Sequence, residues 1–426
     1  MIRIKMAKKT IQALLAALLL VTAANAQPLE VRVQQMIDDS IARAAPPKNE
    51  YVINIPPPTE VPDVGKYIQD KLLELFPNKS VGEEATDDFW GVLFVAQPGN
   101  YTLSSSIVLD QSKAGAHIVI RGSGFISTTF RIPINLGIVG INAWNSREFT
   151  LENIRVVEAV GTRTSCCVLM GGTSCTIRNC WTGGAHIGFL VDGSDGLMDN
   201  CFAEHCNSNL SITTRYFNSK WGLPPLTDNA RYNTISGFRS YMGTIELVNY
   251  LQLKVEVETG TLLPLDELTV EGSAVPAKIL DIYKANDTTT LLVTRSSYSH
   301  LLKGPFTTSG GATGRVIDYY GNLLRNNILS DVQMIHTSPW TKPGPAILID
   351  CADDTQMDVM ATGCRNTIIR GSRNIRYSGN HRDTESGLVI ENSTGILTGF
   401  MDNKHEVTID AASCFTIGTV RTPSTP

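Results

Sequence analysis

A short apolar strand returns along this chain at a fixed interval. Residues 168–171 read VLMG, 189–192 read FLVD and 210–213 read LSIT, each starting 21 residues after the last. ELVN follows at 246–249, ILID at 347–350 and LVIE at 388–391, the last two 41 apart, about twice the first spacing. A second strand keeps step with the first. TIRNCW at 176–181 and LMDNCF at 197–202 are again 21 apart, and TLENIR at 150–155 and TISGFR at 234–239 are looser copies. A period near twenty built from short strands and Gly/Asn turns predicts a solenoid, one coil per repeat. A single coil cannot hide its own apolar face, so the coils must stack around a continuous core. The fold expected is all-β, a parallel β-helix of about 21 residues per coil.

The pattern changes in three places. Residues 65–77, GKYIQDKLLELFP, carry Ile68, Leu72, Leu73 and Phe76 at helical spacing. A short amphipathic helix here would cap the first coil, whose sheet edge is otherwise open. Residues 27–63 begin with a weakly helical stretch and continue through Pro46, Pro47, Pro56, Pro57, Pro58 and Pro62. That density of proline predicts an extended linker, either a docking arm or a plain spacer. Residues 250–320 lose the period altogether and carry strand-like alternation, as in TTTLLVTRSS. An inserted small β module is expected there. The domain boundaries are then 1–26, 27–63, 64–249, 250–320 and 321–426.

The N-terminus has its own signature. Arg3, Lys5, Lys8 and Lys9 precede the apolar run ALLAALLLVTAA, which closes on Ala24-Asn25-Ala26. This predicts a Sec-type signal peptide cleaved before Gln27, with an uncleaved anchor as the alternative. The run is shorter than the roughly 20 residues that span a bilayer. Composition fits an exported all-β body: 426 residues, 42% hydrophobic, 35 Gly and 7% aromatic. A net charge of −5 provides no basic face for nucleic acid, while local patches leave an acidic polysaccharide open as partner.

The opening of the β region resembles a known family. An amphipathic helix is followed by VLFVAQPGNYTLSSSIVL at 92–109 and IVIRGSGFISTTFRI at 118–132, with Pro98, Gly99, Tyr101, Arg121, Gly122 and Gly124 at the matching places. This is similar to the start of pectate-lyase-like right-handed parallel β-helix proteins, which include polysaccharide lyases, hydrolases and phage tail spikes. The resemblance covers about 65–245 and 321–415 and implies a right-handed solenoid. It also implies a homotrimer if the chain is a phage spike, with the N-terminal arm docked on other virion or envelope proteins. The module at 250–320 resembles an insertion seen in phage tail proteins, through its Ser309–Gly314 turn.

Nine cysteines include Cys180 and Cys201, placed to stack in adjacent coils, with Cys166, Cys167, Cys175 and Cys206 nearby. A mostly reduced or partly paired ladder is expected, because buried cysteine behaves as a small hydrophobe. No Cys/His spacing suits zinc, and neither metal nor cofactor is implied. Asn153, Asn179 and Asn200 recur at one turn and predict an asparagine ladder.

Glycoside hydrolysis needs two carboxyls at a defined separation, and a lyase needs a base beside a cation. Candidates fall in three clusters: His186, Asp192, Asp195, Asp199, Glu204 and His205; Asp350, Asp353, Asp354 and Asp358; and His381, Arg382, Asp383 and Glu385. Asp in a solenoid turn more often bonds its own backbone. From these, Asp192, Asp195 and Asp350 are the expected catalytic carboxyls, with His186 on the substrate side. A groove needs a lengthened turn for a wall. The turns at 214–233 and 332–346 are candidates, and they bring Lys220, Trp221, Trp340 and Lys342 as sugar-binding groups, with Tyr216 nearby. The polygalacturonase-type set is incomplete: Asp353-Asp354 is present, but the Gly-His-Gly turn and the Arg-x-Lys are not. Two classes of function stand. One is a secreted, periplasmic or virion-surface protein that binds a polysaccharide and cleaves it if it is catalytic. The other is a structural or adhesive β-helix of a phage particle.

Overall fold

The structure is a computed structural model. It describes residues 50–75, 91–109, 117–144, 146, 148–161, 163–213, 230–273, 276–284, 290–295, 303–321, 324–336, 345–364, 366–382, 387–401 and 407–421. The signal-peptide reading of residues 1–26 lies outside them. Tyr51–Pro426 forms one compact unit.

Two long parallel sheets carry the fold, the arrangement of a parallel β-helix. Among the described residues the smaller has ten strands and the larger eighteen. Each repeat gives one strand to the smaller sheet, then turns and gives one or two to the larger. The strands Cys166–Met170, Ile187–Val191 and Ser208–Thr213 are neighbours in the ten-stranded sheet, with Val168 opposite Phe189 and Phe189 opposite Leu210. These partners are 21 residues apart in sequence. Inward positions stack into rows, because a parallel ladder holds each residue over its counterpart. One row runs Ile141, Val168, Phe189, Leu210, Ile245 and Ile347. The facing sheet contributes Ile177, Met198, Ile235, Leu329 and Met357. These belong to one core, and burying each such side chain stabilises the fold by about 1.5–3 kcal/mol.

The turns repeat as faithfully as the strands. Asn153, Asn179 and Asn200 take left-handed backbone conformations with φ between 47° and 59°, and Gly237 and Asp331 continue the series. Each of the four residues from Asn153 to Gly237 donates its amide to the next coil, as from Asn179 to the Asp199 carbonyl. Asn200 Nδ2 also donates to Asn179 Oδ1 at 2.8 Å. Asparagine suits this position because it tolerates the left-handed region at little cost. A second left-handed row runs Glu148, Ser174, Asp195, Tyr232, Asn326, Asp354 and Asn374 at the turn from the small sheet to the large one.

Cys166, Cys167, Cys175, Cys180, Cys201, Cys206 and Cys364 are buried thiols, and no described cysteine is in a disulfide. Burial pushes Cys175 up to about 11 and Cys201 up to about 12, so these thiols stay protonated and pack as apolar groups.

The helix falls at Val64–Leu75, with Val64, Ile68 and Leu72 buried. Asp63 starts it, accepting the Gly65 amide at 3.0 Å and tying the helix to the next loop through the Ser104 amide at 3.1 Å. Leu73, read as part of the buried stripe, is exposed instead, because it lies outside the Ile68–Leu72 face; Phe76 lies outside the described residues. The end of the expected linker also differs. Glu50–Ile55 is a strand paired with Gly91–Ala96, and Ile55 and Val61 join the core. Pro56–Pro58 follow that strand and stop its ladder rather than extending a linker through it.

Between Tyr250 and Gly321 the chain forms a closed six-stranded antiparallel barrel. Leu251, Leu253, Ile279, Leu292 and Phe306 fill it. The Ser309–Gly314 stretch joins Gly304–Thr308 to Thr313–Gly321, with the Thr308 amide donating to the Ala312 carbonyl at 2.8 Å. Val248, Tyr250 and Leu348 form a small apolar cluster with Leu280 against the outer face of the ten-stranded sheet.

Candidate functional site

The turn that returns from the large sheet to the small one differs in length between described coils. That turn has three residues between Gly183 and Ile187, and three between Glu204 and Ser208. Between Glu158 and Cys166 it has seven. The additional residues rise beside the sheet and bound a groove of about 350 Å³. Glu158 builds that wall. It is buried, and its carboxylate accepts the Thr164 amide at 3.2 Å, the Thr164 hydroxyl at 3.0 Å and the Ser165 amide at 3.1 Å. Val160 stands at the rim, 95% exposed.

Parts of two outward rows of the large sheet make the floor, Arg155 from one and Arg131, Val157, Gly183 and Glu204 from the other. One runs Arg155, Trp181, Phe202 and Arg239 across successive coils. The other runs Arg131, Val157, Gly183, Glu204 and Tyr241. Arg155 reaches over a whole coil: its Nη2 donates to Glu204 Oε1 at 3.1 Å. Gly183 stands in register between the Arg155 and Glu204 coils. A Cβ there would lie 3.1 Å from Glu204 Cγ and crowd the carboxylate that Arg155 meets. The Arg155 guanidinium also lies 4.1 Å from the Trp181 ring centre. Trp181 is braced edge-to-face by Phe202 at 5.0 Å and Phe125 at 6.0 Å. His205 is held in the left-handed region with its ring against Tyr241 at 5.3 Å.

Three arginines, Arg131, Arg155 and Arg163, therefore share the groove with Glu158, Glu204 and His205. Arg155 Nε and Arg163 Nη1 are shielded donors with no hydrogen-bond partner among the described residues. A buried unpaired donor costs about 1–3 kcal/mol, which an acceptor-rich ligand would recover. Glu158 is committed to the turn, so among the described lining residues Glu204 is the carboxylate facing the groove.

The residues expected from sequence lie elsewhere. Asp192 is fully buried at the end of Ile187–Val191. Asp195 is exposed in the left-handed turn row and donates its amide to the Arg231 carbonyl. Asp350 is buried and receives Arg370 Nη2 at 2.6 Å. Val191 is opposite Ile212, Thr213 opposite Val248, and Val248 opposite Asp350. Asp192 and Asp350 thus sit in one row three coils apart, about 14 Å at the usual strand spacing. Carboxyl pairs of glycosidases lie about 5–9.5 Å apart. His186 pairs through Nδ1 with Asn207 Nδ2 at 2.9 Å. None of these four lines the groove. Tyr216, Lys220, Trp221, Trp340 and Lys342 lie outside the described residues, as do Asp383 and Glu385. His381 is in the core, 2.8 Å from the Tyr377 hydroxyl. Glu204 and His205, noted in sequence, do line the groove; Arg131, Arg155 and Arg163, which also line it, were missed, as was Trp181, whose ring lies under Arg155. The available signal was spacing: TLENIR and TIRNCW start 26 residues apart, five more than the regular interval.

Among the described residues no group of three or more His, Cys, Asp or Glu is arranged to hold a metal. No described helix is long and apolar enough to cross a membrane. No family model and no curated protein matches this chain. Among solved structures it is similar to ORF18 of Geobacillus virus E2, at 12% identity and a TM-score of 0.35, over 93% of this chain and 64% of that one. The chain thus spans just under two thirds of that protein. It is also similar to the A-module of the Azotobacter vinelandii mannuronan C-5 epimerase AlgE6, at 11% identity and a TM-score of 0.24, covering 86% of this chain and 97% of that one. A third similarity is to the catalytic domain of a GH87 alpha-1,3-glucanase in complex with nigerose, at 11% identity and a TM-score of 0.22, covering 86% and 69%.

Proposed function

We propose that this protein is an exported or virion-surface β-helix that binds a polysaccharide in the groove beside residues 159–165. The observation that supports the reading most is the pair of shielded, unpaired guanidinium donors, Arg155 Nε and Arg163 Nη1. A saccharide presents closely spaced oxygen acceptors, and arginine meets them with a planar fork of donors. Arg155 is fixed in advance by Trp181 and Glu204, so little side-chain entropy is lost when ligand arrives. In this reading helix Val64–Leu75 caps the first coil, coils of about 21 residues supply the flat flank, and the lengthened turn gives that flank its wall.

Binding without cleavage is favoured over hydrolysis at this groove. A hydrolase needs two available carboxyls, and Glu158 gives its oxygens to the turn. If the groove is catalytic, Glu204 and His205 are the groups placed to exchange protons with a ligand. The test is a polysaccharide panel presented to the full chain, read by affinity electrophoresis, by reducing ends and by absorbance of unsaturated products. The expected result is retardation on at least one polysaccharide with no new ends. Arg163→Gln should weaken that retardation at least fivefold with the thermal midpoint unchanged. Retardation that Arg163→Gln leaves intact would place the ligand elsewhere, and new ends lost in Glu204→Gln would make the protein an enzyme.

A further inference from the structure

A second groove, of about 370 Å³, lies on the other edge of the large sheet and in later coils. Its walls are two rows, each stepping one coil at a time. The first is the left-handed turn row, from Tyr232 through Asn326 and Asp354 to Asn374. The second is the first outward position of the strands, from Ile328 through Gln356 to Arg376.

Tyr232 is out of place by the rule that fills its row. Its other members are polar, and all but Glu148 are Ser, Asp or Asn, small residues that adopt the left-handed region readily. A tyrosine at φ 57° carries strain those residues avoid. Burial does not repay it, because Tyr232 is 48% exposed. Arg231 stands 5.6 Å from the ring centre and steadies it over the groove. Beside the ring are amide and carboxylate groups: Asn374 Nδ2 donates to Asp354 Oδ1 at 2.7 Å, with Asn326 one coil before and Gln356 in the next row. Ile328, 43% exposed, adds an apolar patch. Asp354 and Arg376 balance in charge.

From this we infer that the groove is a second saccharide site, built for a neutral sugar chain running along the solenoid axis. The tyrosine face takes the apolar face of one pyranose ring, and the Asn/Asp/Gln row takes hydroxyls of that ring and the next. Successive coils are about 4.8 Å apart, close to the length of one sugar unit, so the polar groups repeat in step with the chain. A protein partner fits less well, since the lining is mostly polar and has a single exposed aliphatic side chain. The inference does not depend on the arginine groove, which it neither touches nor resembles in charge.

The test uses the full chain with cello-, malto-, laminari- and chitohexaose, followed by saturation-transfer-difference NMR and titration calorimetry. At least one hexasaccharide should bind, with saturation passing from the protein to its sugar ring protons and falling in Tyr232→Asn. Tyr232→Asn should weaken it at least fivefold while raising the thermal midpoint by about 1–2 °C, since asparagine relieves the backbone. Opposite signs for affinity and stability separate a ligand contact from a structural role. Arg163→Gln should leave hexasaccharide binding unchanged, so that failure of the arginine groove and failure of this one are distinguishable. Binding by none of the four sugars, equal affinity in Tyr232→Asn, or a change only in self-association on sedimentation would each overturn the inference.

Discussion

The early and late coils solve the same packing problem differently. Through Arg239–Tyr241 each pass along the large sheet is broken into two short strands, such as Thr176–Arg178 and Trp181–Gly183, around a left-handed residue. From Ile328–Ile335 onward the pass is one continuous strand, as in Gln356–Thr362 and Ile375–Arg382. Asp331 is the last left-handed residue of that series, and the ladder shifts register there. The outward surfaces differ as well. The early coils carry Arg121, Glu152, Arg178 and Asp199 in one alternating row, while the late coils expose Ile335, Met360 and Ile396. A bend in every coil gives the early flank relief, and its lengthened turn supplies the wall. The late flank is smoother and carries the second groove at its edge.

This contrast can be broken by experiment. The largest effect should come from the early core: Phe189→Ala should destabilise by about 3–5 kcal/mol in denaturant unfolding, since Phe189 is fully buried against Phe238. In the late core Tyr377→Phe should cost about 1–2 kcal/mol by removing the hydroxyl hydrogen-bonded to His381. A Tyr377→Phe loss as large as that of Phe189→Ala would mean that the hydroxyl contact to His381 holds the late core as firmly as a whole ring holds the early one. Asn179→Ala should cost about 1 kcal/mol and Asn179→Gly less, because alanine meets the left-handed backbone and both lose the side-chain rung to Asn200. Ser378→Ala, within a continuous late strand, should change the midpoint little.

The smallest effect concerns Asp353. Burial lifts its carboxyl to about 6; Asp354 pushes the same way, while Arg373 and Arg325 oppose. Its pKa in the fold lies above the ordinary value, so the stability linked to its protonation is complete below about pH 4 and is lost as pH rises through about 6. Asp353→Asn should raise the thermal midpoint at pH 7.5, and the gain should shrink toward pH 4. A gain independent of pH would assign the effect to packing.

The solenoid was legible because its constraint is positional. A row such as Val168, Phe189 and Leu210 must be apolar at every coil, and the turn over it must tolerate one backbone conformation, so residue type repeats. The insert was legible as loss of the interval and as strand alternation, but not its closure into a barrel, which depends on pairings such as Leu251 with Gly321, far apart in sequence. The groove was the least legible part. Arg155 and Glu204 meet across 49 residues, and Gly183 contributes by what it lacks. Asp192 and Asp350 share a strand end with a repeated motif, which marks their place in the ladder and says nothing of access.

The barrel's two ends are neighbours. Leu251 pairs with Gly321, so the chain leaves the solenoid on one strand and returns on the strand beside it. For the coils on either side, the excursion has the span of an ordinary turn. Such a module can be acquired or deleted in one genetic event without altering how many coils stack or which rows they continue. The same adjacency makes it a natural grafting point, where a foreign domain with paired termini can be exchanged for the barrel while the solenoid keeps its register.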